Sequence, residues 1–273
     1  MSSNPILQFI ETPDYRFGYL ESPSPHSALP PLVMVHGYPG RPQDFRFLFP
    51  YLTKVRCLAL AMPNLDISSS KTAVSTTSIR DRERAILQFL DAMHIEQCIL
   101  VGHSMGGPIV TSLTRHHPNR ISGLILLSSV GIAPYKIFRQ TKPRIGHQLL
   151  SLPILGPLFR PLVVKVFQWL GFPKGISIDA MCHVLHCAHD FSFLENHQNL
   201  QAIQQPVLNV WTTDDPYIES ERFAEITAVV SNCTEDNTAQ GGHNPQKEQP
   251  EYVARTIQQW LNTAVTQKNE TQM

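Results

Sequence analysis

Short apolar runs alternate with longer amphipathic stretches along much of the chain. The short runs are bounded by turn residues and favour β structure, which is typical of strands that are buried on both faces. They are Leu32–Val35, Arg56–Ala61, Cys98–Val101, Gly123–Leu127 and Pro206–Trp211. Stretches with helical spacing are Asp44–Leu52, Ile79–Met93, Met105–His116, Glu219–Val229 and Gln249–Leu261. Strands and helices that take turns predict an α/β fold with a mostly parallel sheet and helices on both faces.

The alternation stops between Pro134 and Gln205. Several prolines divide this segment into apolar stretches such as Leu162–Leu170, and no strand pattern is evident. The apolar content is too high for a disordered linker. We therefore predict a helical lid at residues 134–205, inserted between core segments 1–133 and 206–264. The polar tail at residues 265–273 is expected to fray.

The charge balance of the 273-residue chain restricts its partners. It has 22 Lys and Arg residues and 22 Asp and Glu residues, so the formal net charge is zero. A protein that binds nucleic acid normally has a basic excess, and a neutral chain offers no polybasic attraction to an anionic membrane. The longest strongly apolar run, near Gly123–Leu127, is far too short for a membrane span. We expect no nucleic-acid partner and no membrane span.

The cysteines indicate the cellular compartment. Five cysteines are scattered along the chain, and an odd, unpatterned set fits reduced thiols better than a disulfide framework. The residues from Met1 to Phe17 have neither the basic region nor the apolar region of a signal peptide. These features predict a cytoplasmic protein.

The strongest chemical signal is the segment GHSMG at residues 102–106, which follows a predicted strand and opens a predicted helix. A G-x-S-x-G motif at such a junction forms a nucleophile elbow, a strained turn that presents the Ser104 hydroxyl. Gly102 and Gly106 let the strand and the helix approach closely. The turn also directs the amide of Met105, at the helix N-terminus, towards a developing oxyanion. His103 alternates away from the serine and is predicted to pack behind it.

A second segment, HGYPG at residues 36–40, is similar to the HGxPG loop that follows the third strand in the α/β-hydrolase fold superfamily. With the elbow, it makes the chain resemble that superfamily over most of its length except the lid. The resemblance implies an α/β-hydrolase fold. It also implies that the Tyr38 amide is the second oxyanion donor beside Met105, while His36 and Gly37 shape the loop.

A serine hydroxyl needs a base to remove its proton and an acid to orient that base. In the superfamily the acid and then the histidine follow the serine along the chain. Counting from Thr212, where relatives usually have glycine, the motif places the acid at Asp215, with Asp214 as the alternative. His243 follows two glycines and precedes a predicted helix, so it resembles the closing histidine of the family.

Two features of the predicted lid leave alternatives open. Cys182, His183, His186 and Cys187 are zinc-type ligands, but their i, i+4 pairs face different directions and give no evident four-ligand set. We therefore expect no metal and no cofactor. The stretch Pro157–Phe172 is rich in aliphatic and aromatic residues, and it either lines an acyl pocket or packs the lid against the sheet.

The nucleophile indicates the reaction. Epoxide hydrolases and haloalkane dehalogenases share the HGxPG loop but use an aspartate nucleophile, which Ser104 replaces here. The resemblance therefore implies a serine hydrolase of the esterase branch, acting on a small carboxylic ester with an apolar part. Ser104 would attack, His243 would act as general base, and Asp215 would orient the imidazole.

Other functions fit the same residues. A carbon–carbon bond hydrolase or a cofactor-free perhydrolase uses the same triad. A methyl ester on an acyl carrier protein would suit the basic lid residues Lys136, Arg139, Lys142, Arg144, Arg160 and Lys165. From another class, a receptor could bind small apolar ligands without turnover. The sequence predicts neither the substrate nor the oligomeric state.

Overall fold

The computed structural model describes most of the chain. Its described residues are 5–22, 28–65, 67–71, 76–150, 152, 156–169 and 177–265. Within them, nine strands form one sheet. The strands are β1 (Leu7–Glu11), β2 (Tyr15–Glu21), β3 (Leu32–Val35), β4 (Cys57–Leu60), β5 (Ser69–Ser70), β6 (Cys98–His103), β7 (Ile121–Leu127), β8 (Val207–Thr212) and β9 (Cys233–Thr238). Their order is β1-β2-β4-β3-β6-β7-β8-β9, and β5 pairs with β2.

The predicted α/β architecture with a mostly parallel sheet is confirmed. From β4 to β9 all neighbouring strands are parallel, whereas β1, β2 and β5 form an antiparallel edge. The five predicted strands are β3, β4, β6, β7 and β8, whose ends differ from the predicted ends by at most two residues. These five strands are adjacent in the middle of the sheet, where both faces are covered. The antiparallel edge is absent from the sequence prediction.

Helices cover both faces of this sheet. The α-helices of the described residues are α1 (Ile79–Ala92), α2 (Gly106–His116), α3 (Lys136–Thr141), α4 (Pro143–Leu150), α5 (Gly156–Trp169), α6 (Ile178–His189), α7 (Phe193–Ala202), α8 (Ser220–Val229), α9 (Pro245–Glu248) and α10 (Pro250–Trp260). Four of the five predicted helical stretches form α1, α2, α8 and α10. Among all of these helices, none has the length and hydropathy needed to cross a membrane.

The predicted helix over Asp44–Leu52 is wrong. A 3₁₀ helix spans Pro42–Phe45, and turns follow it. The amide of Leu48 donates to the carbonyl of Phe45, three residues back, and Pro50 has no amide with which to continue a helix. Phe45 and Leu48 are nevertheless fully buried. The apolar spacing therefore indicated a buried face correctly, but a series of tight turns produces that face.

Alternation along β3 shows how the core is divided into two layers. Leu32 and Met34 pack in one buried cluster with residues of α10, such as Trp260. Val33 and Val35 pack in the other cluster, which includes residues of α1 and α2. Because successive side chains of a strand point to opposite faces, each central strand contributes to both layers. The rigid sheet between the layers carries the loops at the carboxyl ends of its strands.

Between β7 and β8, the described residues contain the helices α3 to α7 and no strand. Val164 and Phe167 of α5 pack with Met181 and Leu185 of α6 in a small separate core. The chain leaves the sheet near Gly131 and returns at α7. There the side-chain amide of Asn196 donates to the carbonyl of Gly131 at 2.8 Å, so this hydrogen bond joins the two ends of the segment between β7 and β8, which we call the helical insertion.

Some sequence predictions fall outside the described residues. The apolar stretches that reach Leu170 and Phe172 extend into residues 170–176, and the prolines at 153 and 173 are also outside. The predicted tail lies outside from residue 266 onwards.

Phe89 joins α1 to the antiparallel edge of the sheet. It is fully buried, and its ring contacts those of Phe17 and Tyr19 edge-on, with centroid distances of 5.7 and 5.5 Å. We predict that Phe89→Ala lowers the free energy of unfolding by about 3–5 kcal/mol, because it opens a cavity in a close-packed core. Urea denaturation measures this value. Phe9→Ala, at a ring that is 44% exposed, is the control and is expected to cost less than about 1 kcal/mol; equal losses would contradict the prediction.

Candidate active site

Ser104 lies at the tight turn between β6 and α2. Its φ is 52°, in the left-handed region that non-glycine residues seldom adopt. The Ser104 amide donates to the carbonyl of Leu127, and the Ser104 carbonyl accepts from the amides of Gly107 and Val130, at 3.0–3.1 Å. Hydrogen bonds from β7 and α2 thus hold the strained backbone, and the side chain projects from the turn.

Glycines allow this turn to pack against its neighbours. A Cβ atom on Gly106 would lie 2.3 Å from the Val35 carbonyl oxygen, and one on Gly102 would lie 2.4 Å from a Val110 methyl group. A Cβ on Gly37 would lie 2.7 Å from the Cβ of Ser104. Both the elbow and the loop after β3 therefore need glycine for close approach rather than for flexibility.

His243 reaches the serine from the loop after β9. Its Nε2 atom lies 2.9 Å from Ser104 Oγ, and its Nδ1 atom lies 2.7 Å from Asp215 Oδ2. A carboxylate only accepts, so Nδ1–H donates to Asp215, and in the neutral imidazole this leaves Nε2 to accept from the serine hydroxyl. The structure therefore brings together the three residues that the sequence selected as nucleophile, base and acid.

The two candidate acids have different surroundings. Asp215 is almost fully buried, and its Oδ1 atom accepts from the amides of Tyr217 and Ile218 at 2.8 and 3.0 Å. Its other oxygen is thereby aimed at His243. Asp214 is exposed and accepts from the amides of the two glycines before His243. Its slight desolvation opposes ionisation, but these hydrogen bonds outweigh it and lower the pKa of Asp214. Asp214 thus supports the loop after β9 that carries Gly241, Gly242 and His243, which we call the histidine loop, whereas Asp215 contacts the imidazole.

Thr212 replaces the glycine that relatives usually have before the acid, and it has a contact of its own. Its hydroxyl donates to the carbonyl of Gly242 at 2.5 Å. Gly241 and Gly242 both have positive φ, at 141° and 55°. The departure from the family pattern therefore adds a hydrogen bond between the acid-bearing strand and the histidine loop.

Tyr38, in the loop after β3, lines the same cleft as Met105. Neither of their backbone amides donates to a protein acceptor in the part of the chain that the structure describes. His36 is fully buried; its Nε2 accepts from the Met62 amide at 3.1 Å, so its Nδ1–H donates to the Gly37 carbonyl at 2.8 Å. The imidazole of His36 thus joins the loop after β3 to the residue Met62, which follows β4.

His103 has a specific contact that the sequence did not indicate. Its Nε2–H donates to the backbone carbonyl of His243 at 2.8 Å. Burial, with a smaller contribution from the neighbouring His243, lowers the pKa of His103 to about 3. An uncharged His103 therefore fastens the histidine loop to the elbow.

Arg82 is the residue that sequence reasoning missed entirely. It is only 1% exposed, its guanidinium lies 4.9 Å from the centre of the Tyr38 ring, and it donates to the carbonyls of Thr76 and Thr77. Burial raises the pKa of Tyr38, and the nearby Arg82 opposes that shift. The sequence nevertheless indicated that Arg82 is unusual, because it lies three residues after Ile79 on the apolar face of α1. A charge on such a face indicates a buried partner.

Ser104 and His243 border a cleft of about 890 Å³. Ser104, His243 and the amide-bearing residues Tyr38 and Met105 line it on the side of the sheet. Residues of the helical insertion, such as Ile137 and others near the start of α6, line it on the opposite side. This volume is within the range of about 300–1,000 Å³ that accommodates a small organic ligand.

A smaller pocket of about 50 Å³ adjoins the cleft, with which it shares Tyr38 and Met105. Phe138, Phe167 and Leu185 from the insertion complete an apolar lining. The predicted acyl-lining stretch therefore contributes Phe167 to this pocket. Leu158, Leu162 and Trp169 of the same helix are exposed.

The candidate zinc ligands do not converge. Among the described residues, no group of three or more His, Cys, Asp and Glu side chains is arranged to hold a metal ion. Cys182 and Cys187 are buried, and all five cysteines have free thiols. His147 stacks on His189 with parallel rings at 4.0 Å, a geometry that does not direct ring nitrogens at a common point.

A family model and several curated proteins are similar to this chain. The family model for the α/β hydrolase fold matches residues 30–152. The uncharacterized hydrolase YugF of Bacillus subtilis (strain 168) is 23% identical over 262 residues, which cover 84% of this chain and 89% of YugF. The human monoacylglycerol lipase ABHD6 is 20% identical over 278 residues, which cover 93% of this chain and 82% of the lipase.

A solved structure shares the whole fold. The haloalkane dehalogenase DbeA from Bradyrhizobium elkani USDA94 superposes with a TM-score of 0.76. The two chains are 16% identical, and the superposition covers 96% of this chain and 99% of the dehalogenase. This likeness shows the fold and not the reaction. The chain has the α/β-hydrolase fold.

Proposed function

We propose that this protein is a serine hydrolase that cleaves a carboxylic ester through an acyl-enzyme on Ser104. The observation that carries the proposal is the chain of hydrogen bonds from Ser104 Oγ to His243 Nε2 at 2.9 Å and from His243 Nδ1 to Asp215 at 2.7 Å. Fold alone does not select this reaction, because a dehalogenase shares the fold. The name of the relative ABHD6, a monoacylglycerol lipase, supports an ester substrate.

The geometry supports a two-step reaction. Ser104 Oγ attacks the ester carbonyl carbon while His243 takes the hydroxyl proton, and Asp215 stabilises the resulting imidazolium. The negative oxygen of the tetrahedral intermediate receives hydrogen bonds from the Tyr38 and Met105 amides, each worth about 3–4 kcal/mol in such sites. His243 then gives its proton to the leaving alcohol. Water, deprotonated by His243, releases the acid and restores the serine.

The insertion at residues 134–205 acts in this proposal as a lid over the cleft. Its side chains form the apolar pocket beside the two proposed oxyanion donors, so the acyl or alcohol group of the ester is apolar. A substrate seated there would displace water from the site, which strengthens every polar interaction with the oxyanion.

The nucleophile is tested by covalent labelling. We predict that a fluorophosphonate probe labels the wild-type protein once and that Ser104→Ala abolishes labelling, because among the described residues this serine alone is hydrogen-bonded to the base. Ser177→Ala is the matched control, since Ser177 lines the same cleft and caps α6; its labelling is expected to remain. Intact-protein and peptide mass spectrometry measure both results, and undiminished labelling of Ser104→Ala would refute the assignment.

The same preparations separate the alternative reactions. We expect turnover of p-nitrophenyl esters by the wild-type protein and none by Ser104→Ala. A dienol keto-acid, offered in parallel, reports carbon–carbon bond hydrolysis. Cleavage of the keto-acid alone would replace ester hydrolysis by that reaction, and a wild-type protein that turns over no activated ester would indicate a receptor.

The neighbouring aspartates provide a second test. We predict that Asp215→Asn lowers kcat for an ester by about 10⁴-fold, because an amide favours the wrong imidazole tautomer. Asp214→Asn keeps one of the two oxygens that accept from the glycine amides and leaves the contact of Asp215 with the imidazole in place, so a change smaller than about tenfold is expected. Steady-state kinetics of the two variants on one p-nitrophenyl ester decide the matter. Equal losses would show that the acid is misassigned.

The buried His103 predicts how stability depends on pH. In the folded protein it remains uncharged down to about pH 3, whereas its ordinary pKa is 6.5. Between these values the unfolded chain binds the extra proton, so the free energy of unfolding falls as the pH falls, by at most about 1.4 kcal/mol per pH unit. We predict that His103→Gln, which keeps a donor but cannot titrate, shows a shallower fall below pH 6.5 in urea denaturation. Parallel curves for the two proteins would contradict this.

A further inference from the structure

The helical insertion has an apolar face that the proposed chemistry does not use. On α5, four apolar residues follow the spacing i, i+4, i+8 and i+11 and therefore share one side of the helix. They are Leu158 (73% exposed), Leu162 (55%), Val166 (46%) and Trp169 (84%). The opposite side of α5 already packs inwards through Val164 and Phe167. The helix is thus apolar on two sides, and one of them faces solvent.

The neighbouring helix α4 extends this apolar surface. Ile145 and Leu149, four residues apart, are 50% and 37% exposed, and Leu152 just beyond the helix is 41% exposed. The two helices pack against each other. We call the exposed apolar residues of α4 and α5, with the cations beside them, the α4–α5 face.

The cations of this region form a strongly uneven charge distribution within a chain of zero net charge. Residues 136–169 contain six basic residues and no acidic residue. All six are exposed, and two of them pair with acids elsewhere, Arg139 with Glu219 and Arg160 with Asp179. The remaining four have no ion pair with any described residue: Lys136, Lys142, Arg144 and Lys165.

We propose that the α4–α5 face docks onto a lipid surface that carries anionic headgroups. Such a surface accepts exposed Trp and Leu side chains at its acyl boundary and attracts unpaired Lys and Arg at its headgroups, so both features of the face are satisfied by one partner. A second copy of this chain fits less well. A two-fold contact would set the same basic segment against itself, and the like charges would repel.

The location of the face adds a consequence for substrate access. Phe167, on the inner side of α5, lines the apolar pocket, and Asp179, the partner of Arg160, lines the cleft. Docking would therefore place the helix that borders the pocket directly on the lipid. The docking surface does not depend on the ester chemistry, so the two proposals can fail separately.

The experiment uses the full chain and vesicles of two compositions, phosphatidylcholine alone and phosphatidylcholine mixed with phosphatidylglycerol. Of the three tryptophans, Trp211 and Trp260 are buried, so Trp169 is the one whose emission reports a change of surroundings. We expect co-sedimentation with the anionic vesicles and a blue shift of the emission, both weakened by added salt. Trp169→Phe is expected to lose the blue shift.

Matched variants locate the docking surface. Lys165→Ser and Arg144→Ser are each expected to weaken binding about fivefold, the equivalent of about 1 kcal/mol per basic residue at such a surface. Lys54→Ser, in the exposed loop before β4, is the charge control. Leu162→Ser is expected to weaken binding because it removes an apolar side chain from the α4–α5 face. Its control is Leu194→Ser, at a leucine of α7 that is 67% exposed. Both control variants are expected to bind as the wild type does.

Several results would overturn the docking surface. They are the absence of binding to anionic vesicles, equal weakening by Lys54→Ser and Lys165→Ser, and a blue shift that grows with protein concentration in the absence of vesicles, which would assign the face to a second copy. Ser104→Ala is expected to bind vesicles like the wild type. If the wild-type protein binds vesicles but turns over no ester, only the proposed reaction is overturned. If the wild-type protein turns over esters but does not bind vesicles, only the docking surface is overturned.

Discussion

The left-handed backbone of Ser104 is the constraint around which the site is arranged. A non-glycine residue in that conformation costs of the order of 1–3 kcal/mol, and it persists only when its surroundings fix it. Here the fixing groups are the backbone hydrogen bonds from β7 and α2 and the close approach that Gly106 permits against β3. Three adjacent elements must therefore be in register before the hydroxyl is presented. The histidine loop is then tied to this turn through the His103 side chain.

The parts of the fold that the sequence predicted are those whose environment is uniform. The five central strands are covered on both faces, so their apolar runs show them directly. Strand β9 lies at the edge and has the sequence CTEDNT, which contains hardly any apolar residue, and β2 is interrupted by Gly18. Both segments form strands because of the strands with which they pair, and the pattern of the local sequence does not show those partners. The helix predicted at Asp44–Leu52 is wrong for a similar reason. The spacing of its apolar residues indicated a buried face, but it did not determine the backbone conformation that forms this face.

The site residues were predictable where a motif fixes both residue type and position, as at Ser104 and His243. The contacts that support them were not, because they join segments far apart in the sequence. Thr212 looks like a loss of the usual glycine until the structure shows its hydroxyl on the Gly242 carbonyl. For α5 the pattern indicated an apolar helix correctly. It did not show which of the two apolar sides faces protein, since periodicity describes a helix and not its neighbours.

The hydrogen bond between Asn196 and Gly131 joins the two ends of the helical insertion, so the chain leaves the sheet and returns to it at neighbouring positions. The entropy of closing such a loop rises only slowly with its length. Insertions or deletions that spare its buried contacts with the main core, such as those of Tyr135, Val184 and Phe191, would therefore disturb the sheet and the candidate site little. In this arrangement, the lining that the insertion gives to the cleft varies in sequence and length independently of the loops at the strand ends that carry Ser104, Asp215 and His243.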